Sequence, residues 1–275
     1  MPPQPAKRQI VLHAGLHKTG TKTLQACLRA NAPHLPPAWR VETRPDNDAL
    51  RALVGAARDY SASRDKADLA MVSAQTVLWL GGLDLQPGQG LLVSSEDFAG
   101  HMPGRFGVVD YGALIPVLQA VTGMAGRLYH GQVQIRILLT SRSPDPWLRS
   151  LYFQQAKHPD LTADFDSFCA AIPLAADHAA IAATLRHALE PATPVHLLLL
   201  EDLSPRRLGP AEAMFDLAHL PTAGLQPISA RNAMPAPGLA EAFVAANRLG
   251  LPRPDLKRMK EDLLKAAVSL GPKLG

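Results

Sequence analysis

Two cysteines in 275 residues, Cys27 and Cys169, exclude a disulfide framework and offer no C-x-x-C pair for metal or redox work. Each falls inside an apolar helical pattern, where a reduced and buried thiol is expected. Aromatic residues make up only 5%, and the Lys and Arg side chains are dispersed rather than interleaved with them, so no nucleic-acid surface is indicated. No run of about eighteen apolar residues occurs, and the opening MPPQPAKRQIVLHAG lacks the apolar core of a signal peptide. The expectation is a cytoplasmic protein without stable membrane insertion. The ten histidines form neither an H-x-H nor an H-E-x-x-H pair, and no acidic cluster of metal-site type is present, so no metal is expected.

What the chain does have is ample apolar material, 47% hydrophobic against 19% charged, enough for a substantial core and too much for disorder. Its formal charge of +4 is modest and suits a polyanionic nucleotide.

The chain is organised around Ile10 to Asn31, IVLHAGLHKTGTKTLQACLRAN. A β-branched apolar run stops at Gly15, a loop of Gly, Lys and Thr follows, and a helical period takes over with Leu24, Cys27 and Leu28 on one face. Strand, glycine-bearing loop and helix in that order leave the first N–H groups of the helix without intrahelical partners, at the positive end of its dipole. An anion belongs there, and phosphate fits best. Lys18 and Lys22 supply full charges, while Thr19, Thr21 and Thr23 supply hydroxyl donors.

Spacing separates this loop from the nucleotide triphosphatase pattern G-x-x-x-x-G-K-[ST], because Thr21 stands where lysine would follow the second glycine. Gly15 and Gly20 fit, but the lysine precedes Gly20, in His17-Lys18-Thr19-Gly20-Thr21. This resembles the 5′-phosphosulfate loop of sulfotransferases that use 3′-phosphoadenosine 5′-phosphosulfate (PAPS), especially bacterial carbohydrate-type members whose loop reads H-K-T-G-T.

A second stretch, TSRSPDPWLRSLYFQQ, places Arg142 at a strand end and Ser150 eight residues later on the following helix. It resembles the 3′-phosphate motif of the same family, where such an arginine and serine grip the 3′-phosphate. The chemistry is apt, since guanidinium offers a planar permanent charge and serine a short neutral donor. A weaker match is Ala230-Arg231-Asn232, where the resemblance implies a late basic loop that completes the pocket through Arg231.

The rest of the chain alternates strands and helices. Strands are expected near Gln9 to His13, Leu91 to Ser94, Gln134 to Thr140 and Val195 to Leu200. Helices are expected at 46–60, 66–80, 111–121, 144–157, 165–172, 178–189, 210–220, 239–248 and 255–268, and the proline-rich segment Pro33 to Arg44 reads as loop. Alternation of this kind signals a parallel sheet covered on both faces. With the family resemblance it implies one α/β domain over 1–275. That domain is three-layered α/β/α with a central mainly parallel sheet, of P-loop nucleotide-binding type, with a helical insertion at 33–80 and a helical C-terminal part at 221–275.

The resemblance implies transfer of a sulfuryl group from PAPS to a hydroxyl or amine of a small-molecule or glycan acceptor, a carbohydrate or glycolipid, releasing 3′-phosphoadenosine 5′-phosphate (PAP). Lys18 would stabilise the leaving group, and the loop from Thr19 through Gly20, Thr21, Lys22 and Thr23 would hold the 5′-phosphate. Glu96, delivered by a strand end in SSEDF, resembles the family's base and is preferred over His17, whose imidazole titrates near neutrality. Two other readings use the same loop: a magnesium-dependent ATP kinase that recruits Asp97 or Asp202, and a nucleotide-binding scaffold without catalysis.

Overall fold

The computed structural model describes residues 6–44, 47–228 and 237–270. Five strands, β1 (Arg8–His13), β2 (Trp39–Thr43), β3 (Gly90–Ser94), β4 (Val133–Ser141) and β5 (Val195–Leu199), form one sheet in the order β2-β3-β1-β4-β5. Every pair is parallel. β1 lies at the centre, and the chain builds to one side of it before returning to build the other. That makes its C-terminal end the switch point, where open α/β sheets leave a crevice.

Strands buried on both faces should carry unbroken apolar runs, and β1, β3 and β4 do, at Ile10 to Leu12, Leu91 to Val93 and Ile137 to Leu139. Ile10 and Leu12 face one core with Leu91, Val93, Ile137 and Leu139, while Val11 faces the other with Leu92 and Leu138. The first core is closed by α2 (Asp48–Ser63), α3 (Lys66–Leu83), α4 (Leu114–Leu128), α5 (Pro144–Ala156), α6 (Phe165–Ala171) and α7 (His178–Leu189), joined by α10 (Leu239–Asn247). The second is closed by α1 (Thr21–Asn31), the short α8 (Leu200–Leu203) and α9 (Glu212–Leu217). The last helix, α11 (Arg253–Leu270), packs beside α10. A sheet with helices on both faces is the layered α/β arrangement expected.

Helix starts carry the expected chemistry. Asn47 caps α2 by accepting from the Leu50 N–H at 3.0 Å, and Asp65 does the same for Ala67 at the start of α3. Pro144 opens α5 where its missing N–H costs nothing.

One expectation fails. The segment Pro33 to Arg44 is not all loop, because Trp39–Thr43 forms the edge strand β2, in register with β3 from Trp39↔Gly90 to Thr43↔Ser94. A Cβ at Gly90 would strike the Trp39 indole, so the glycine lets the strands meet there. The segment 33–80 therefore carries an edge strand and then the two-helix crossover α2–α3, whose Leu50, Leu53, Val54, Val72 and Trp79 belong to the main core. Smaller differences are at element ends. The helix expected from Tyr111 starts at Leu114, and the one expected at 210–220 is α9 preceded by a 3₁₀ turn, Gly209–Ala211.

Candidate functional site

β1 ends at His13, and a seven-residue loop carries the chain to α1. Lys18 holds a positive φ of 67°, and Gly20, the residue before the helix, one of 92°. Gly20 is needed twice over: its backbone is left-handed, and a Cβ there would come within 2.6 Å of Leu200 Cδ1. No side chain caps α1, and its first turn holds no acidic residue. Thr23 and Leu24 donate back to the Gly20 carbonyl at 3.1 Å, whereas no acceptor among the described residues serves the N–H groups of Gly20, Thr21 or Lys22. The Thr21 hydroxyl is also buried without a partner. Such a cluster of unserved donors at a helix start attracts an anion.

Four cations converge on this point. Lys18 Nζ and Lys157 Nζ each donate to Gln154 Oε1 at 3.4 Å, so one carboxamide oxygen stands between two ammonium groups. Burial pulls the Lys18 pKa down to about 8, and the charges of Lys157, Lys22 and Arg142 pull the same way against the single opposing charge of Glu96. Lys157 is lowered too, by burial and then by Lys22. Arg142 follows the end of β4, and both it and Ser150 on α5 are half-buried. The turn between them is fixed by Glu201, whose carboxylate accepts from the Ser143 N–H at 3.1 Å.

Glu96 begins the 3₁₀ turn Glu96–Ala99 after β3. Gln25 of α1 donates to Glu96 Oε2 and to the Ser94 carbonyl, both at 3.2 Å, which ties the carboxylate to the helix of the loop. Burial raises its pKa, assisted by the charge of Asp97 and opposed by its backbone hydrogen bond, Gln25 and Arg44. A carboxylate that binds its proton more tightly than usual is a better base. Asp97 itself is engaged by Arg44 at 2.7 Å and faces Arg58 at 4.0 Å.

His17 is buried, its ring stacked on Tyr111 with centroids 6.0 Å apart, and its carbonyl accepts from Trp147 Nε1 at 2.8 Å. Burial, and then the charges of His101, Lys18 and Arg58, drive its pKa to about 3. It is neutral and weakly basic.

Thr19 does not turn its hydroxyl toward the loop cavity. It donates to the Leu16 carbonyl at 2.5 Å and meets the Thr140 hydroxyl at 2.7 Å. Thr140 meets His13 Nε2 at 3.0 Å, and His13 Nδ1 meets Ser94 Oγ at 2.8 Å. Because a carbonyl can only accept, the donors must all run one way: Ser94 to His13, His13 Nε2–H to Thr140, Thr140 to Thr19, Thr19 to Leu16. This assigns the neutral Nε2–H tautomer to His13, whose pKa burial lowers to about 3. The chain ties the loop to the ends of β3, β1 and β4 at once.

Sequence reasoning brought Lys18, Gly20, Thr21, Lys22, Thr23, Glu96 and Arg142 to this end of the sheet. It missed His13, Thr140, Gln154 and Lys157. The spacing Ser150, Gln154, Lys157 marks one face of α5 and was a usable signal. Arg231 lies outside the described residues.

Fold and site together define an α/β protein whose central strand runs into an anion-seeking loop and helix start. No family model matches the chain, and no curated protein matches it.

Proposed function

We propose that this protein is a PAPS-dependent sulfotransferase built on a P-loop α/β domain. The observation that carries the reading is the convergence of Lys18, Lys22, Arg142 and Lys157 on an uncapped helix start, beside Glu96, a half-buried carboxylate with a raised pKa. Unserved N–H groups and the orphaned Thr21 hydroxyl suit the 5′-phosphate, and Arg142 with Ser150 suits the 3′-phosphate. Bound PAPS supplies a sulfuryl group whose bond to the 5′-phosphate oxygen breaks as a bond to the acceptor oxygen or nitrogen forms, leaving PAP.

Lys18 then neutralises charge on the departing phosphate oxygen, a stabilisation worth most in a desolvated site. Glu96 takes the acceptor's proton. The tether from the loop to three strands fixes the geometry before substrate arrives. A carbohydrate or glycolipid acceptor follows from the family resemblance. A kinase would need a carboxylate free for magnesium, but Asp97 is held by Arg44 and Asp202 is exposed on α8.

Calorimetric titration with PAP and with ATP, both in chelator, tests the reading. PAP is expected to bind in the micromolar range, and Arg142→Ala to weaken it by roughly tenfold to a hundredfold, the loss of one charged hydrogen-bond donor to phosphate. Absence of PAP binding, with ATP binding restored by magnesium, would replace the sulfotransferase by the kinase.

A further inference from the structure

A cavity of about 610 Å³ lies between the C-terminal end of α5, α10 and α11. Its lining includes Phe153, Phe243, Leu256 and Leu264, with the cations Lys157, Arg253, Lys257 and Lys260 against the carboxylates Asp160 and Glu261. The volume is that of a site for a molecule of a few dozen atoms at most. Phe153 and Phe243 pack ring to ring at 5.7 Å, and Lys157 Nζ sits 4.6 Å over the Phe153 ring. The same Nζ shares the Gln154 carboxamide oxygen with Lys18, so the two ammonium nitrogens are separated by no more than twice 3.4 Å. Lys157 is thus a wall of the cavity and a member of the donor site.

We infer that this cavity seats the acceptor, and that the acceptor is a small amphiphile: an apolar body held among the two phenylalanines and two leucines, with its hydroxyl at the Lys157 end. The inference rests on the sulfotransferase reading. The four apolar side chains suit an apolar body, and the polar lining, His158 and Asp160 with the lysines, suits the end that bears the hydroxyl. The product fits as well as the substrate. A sulfate monoester adds a negative charge that the cations of the lining, Lys157 among them, can balance. Lys260 closes the floor by donating to the Ala156 and Lys157 carbonyls at 2.9 and 3.2 Å, which fixes the last turn of α5 against α11.

The test uses 2-naphthyl sulfate, an apolar ring system with a sulfate head, titrated into the nucleotide-free full-length protein. It is expected to bind, and Leu264→Glu, at a wall position that is 45% exposed, is expected to weaken it by about tenfold or more through lost apolar contact and like charge. The same variant should keep its thermal midpoint and its affinity for PAP. Lys157→Gln should weaken both ligands. No binding of the probe up to about 1 mM, or equal binding by Leu264→Glu, overturns the inference. If the probe binds with the expected sensitivity to Leu264→Glu while PAP does not bind, the amphiphile site stands and the sulfuryl-donor reading falls.

Discussion

Lys18 shows what the crowding of like charges costs. Its ammonium is pressed among like charges and out of water, so its pKa of about 8 lies well below the ordinary 10.5. The unfolded chain therefore holds this proton more tightly than the folded one, and the group opposes folding at neutral pH. Lys18→Met is expected to stabilise the ligand-free protein by roughly 1–3 kcal/mol while abolishing PAP binding, as read by thermal unfolding and calorimetry. A variant less stable than the parent would contradict the assigned charge crowding. The sign also sets a pH limit on the ligand. PAP favours protonated Lys18, so its affinity should hold below pH 8 and fall as pH rises above it. Glu96 shifts the other way, since burial raises its proton affinity.

Among the elements, the loop between β1 and α1 owes its shape to hydroxyls in two strands and in itself, joined through the imidazole of His13 in a third. Thr140→Val keeps the volume of the side chain but strands the His13 Nε2–H and the Thr19 oxygen. The expected cost is about 1–3 kcal/mol of unfolding free energy, together with weaker PAP binding, measured by denaturant titration and calorimetry. An unchanged affinity would separate the chain from the site. The strand-loop-helix unit itself was legible in sequence because apolar alternation, glycine and helical period change within a few residues. His13 was hidden by that same pattern, since a histidine inside IVLHA reads as a strand residue and nothing local announces partners at 94 and 140. β2 escaped for a different reason. It is an edge strand of five residues behind a run of prolines, and its pairing with β3 is made only after two helices have intervened. Lys157 looked like an ordinary cation at a helix end, and only the fold brings it to Lys18.

At the scale of the whole molecule, three buried histidines set the acid limit. His13 and His17 titrate near 3 and His178 near 4, all lowered chiefly by burial, against an ordinary value of 6.5. Each sits in a packed polar or aromatic setting; His178 bonds Ser141 at 3.1 Å and stands edge-on to Trp147 at 4.8 Å. Below pH 6.5 the unfolded chain takes up protons that the folded one refuses, so stability falls as pH falls. Near pH 5 the three together contribute a slope of about 4 kcal/mol per pH unit. Glu96 and Asp97, with raised pKa values, act in the opposite sense and soften the slope at the acid end. Denaturant unfolding at pH 7, 6 and 5 should register the decline, and a flat profile would mean that the imidazoles are not sealed from water. The one-way run of donors beneath the loop bears on tempo as well as strength. A cradle strung from three strands is expected to take an anion without a prior rearrangement, at a rate set by diffusion and by the reach of its positive field. Added salt, which shortens that reach, should then slow capture more than it hastens escape.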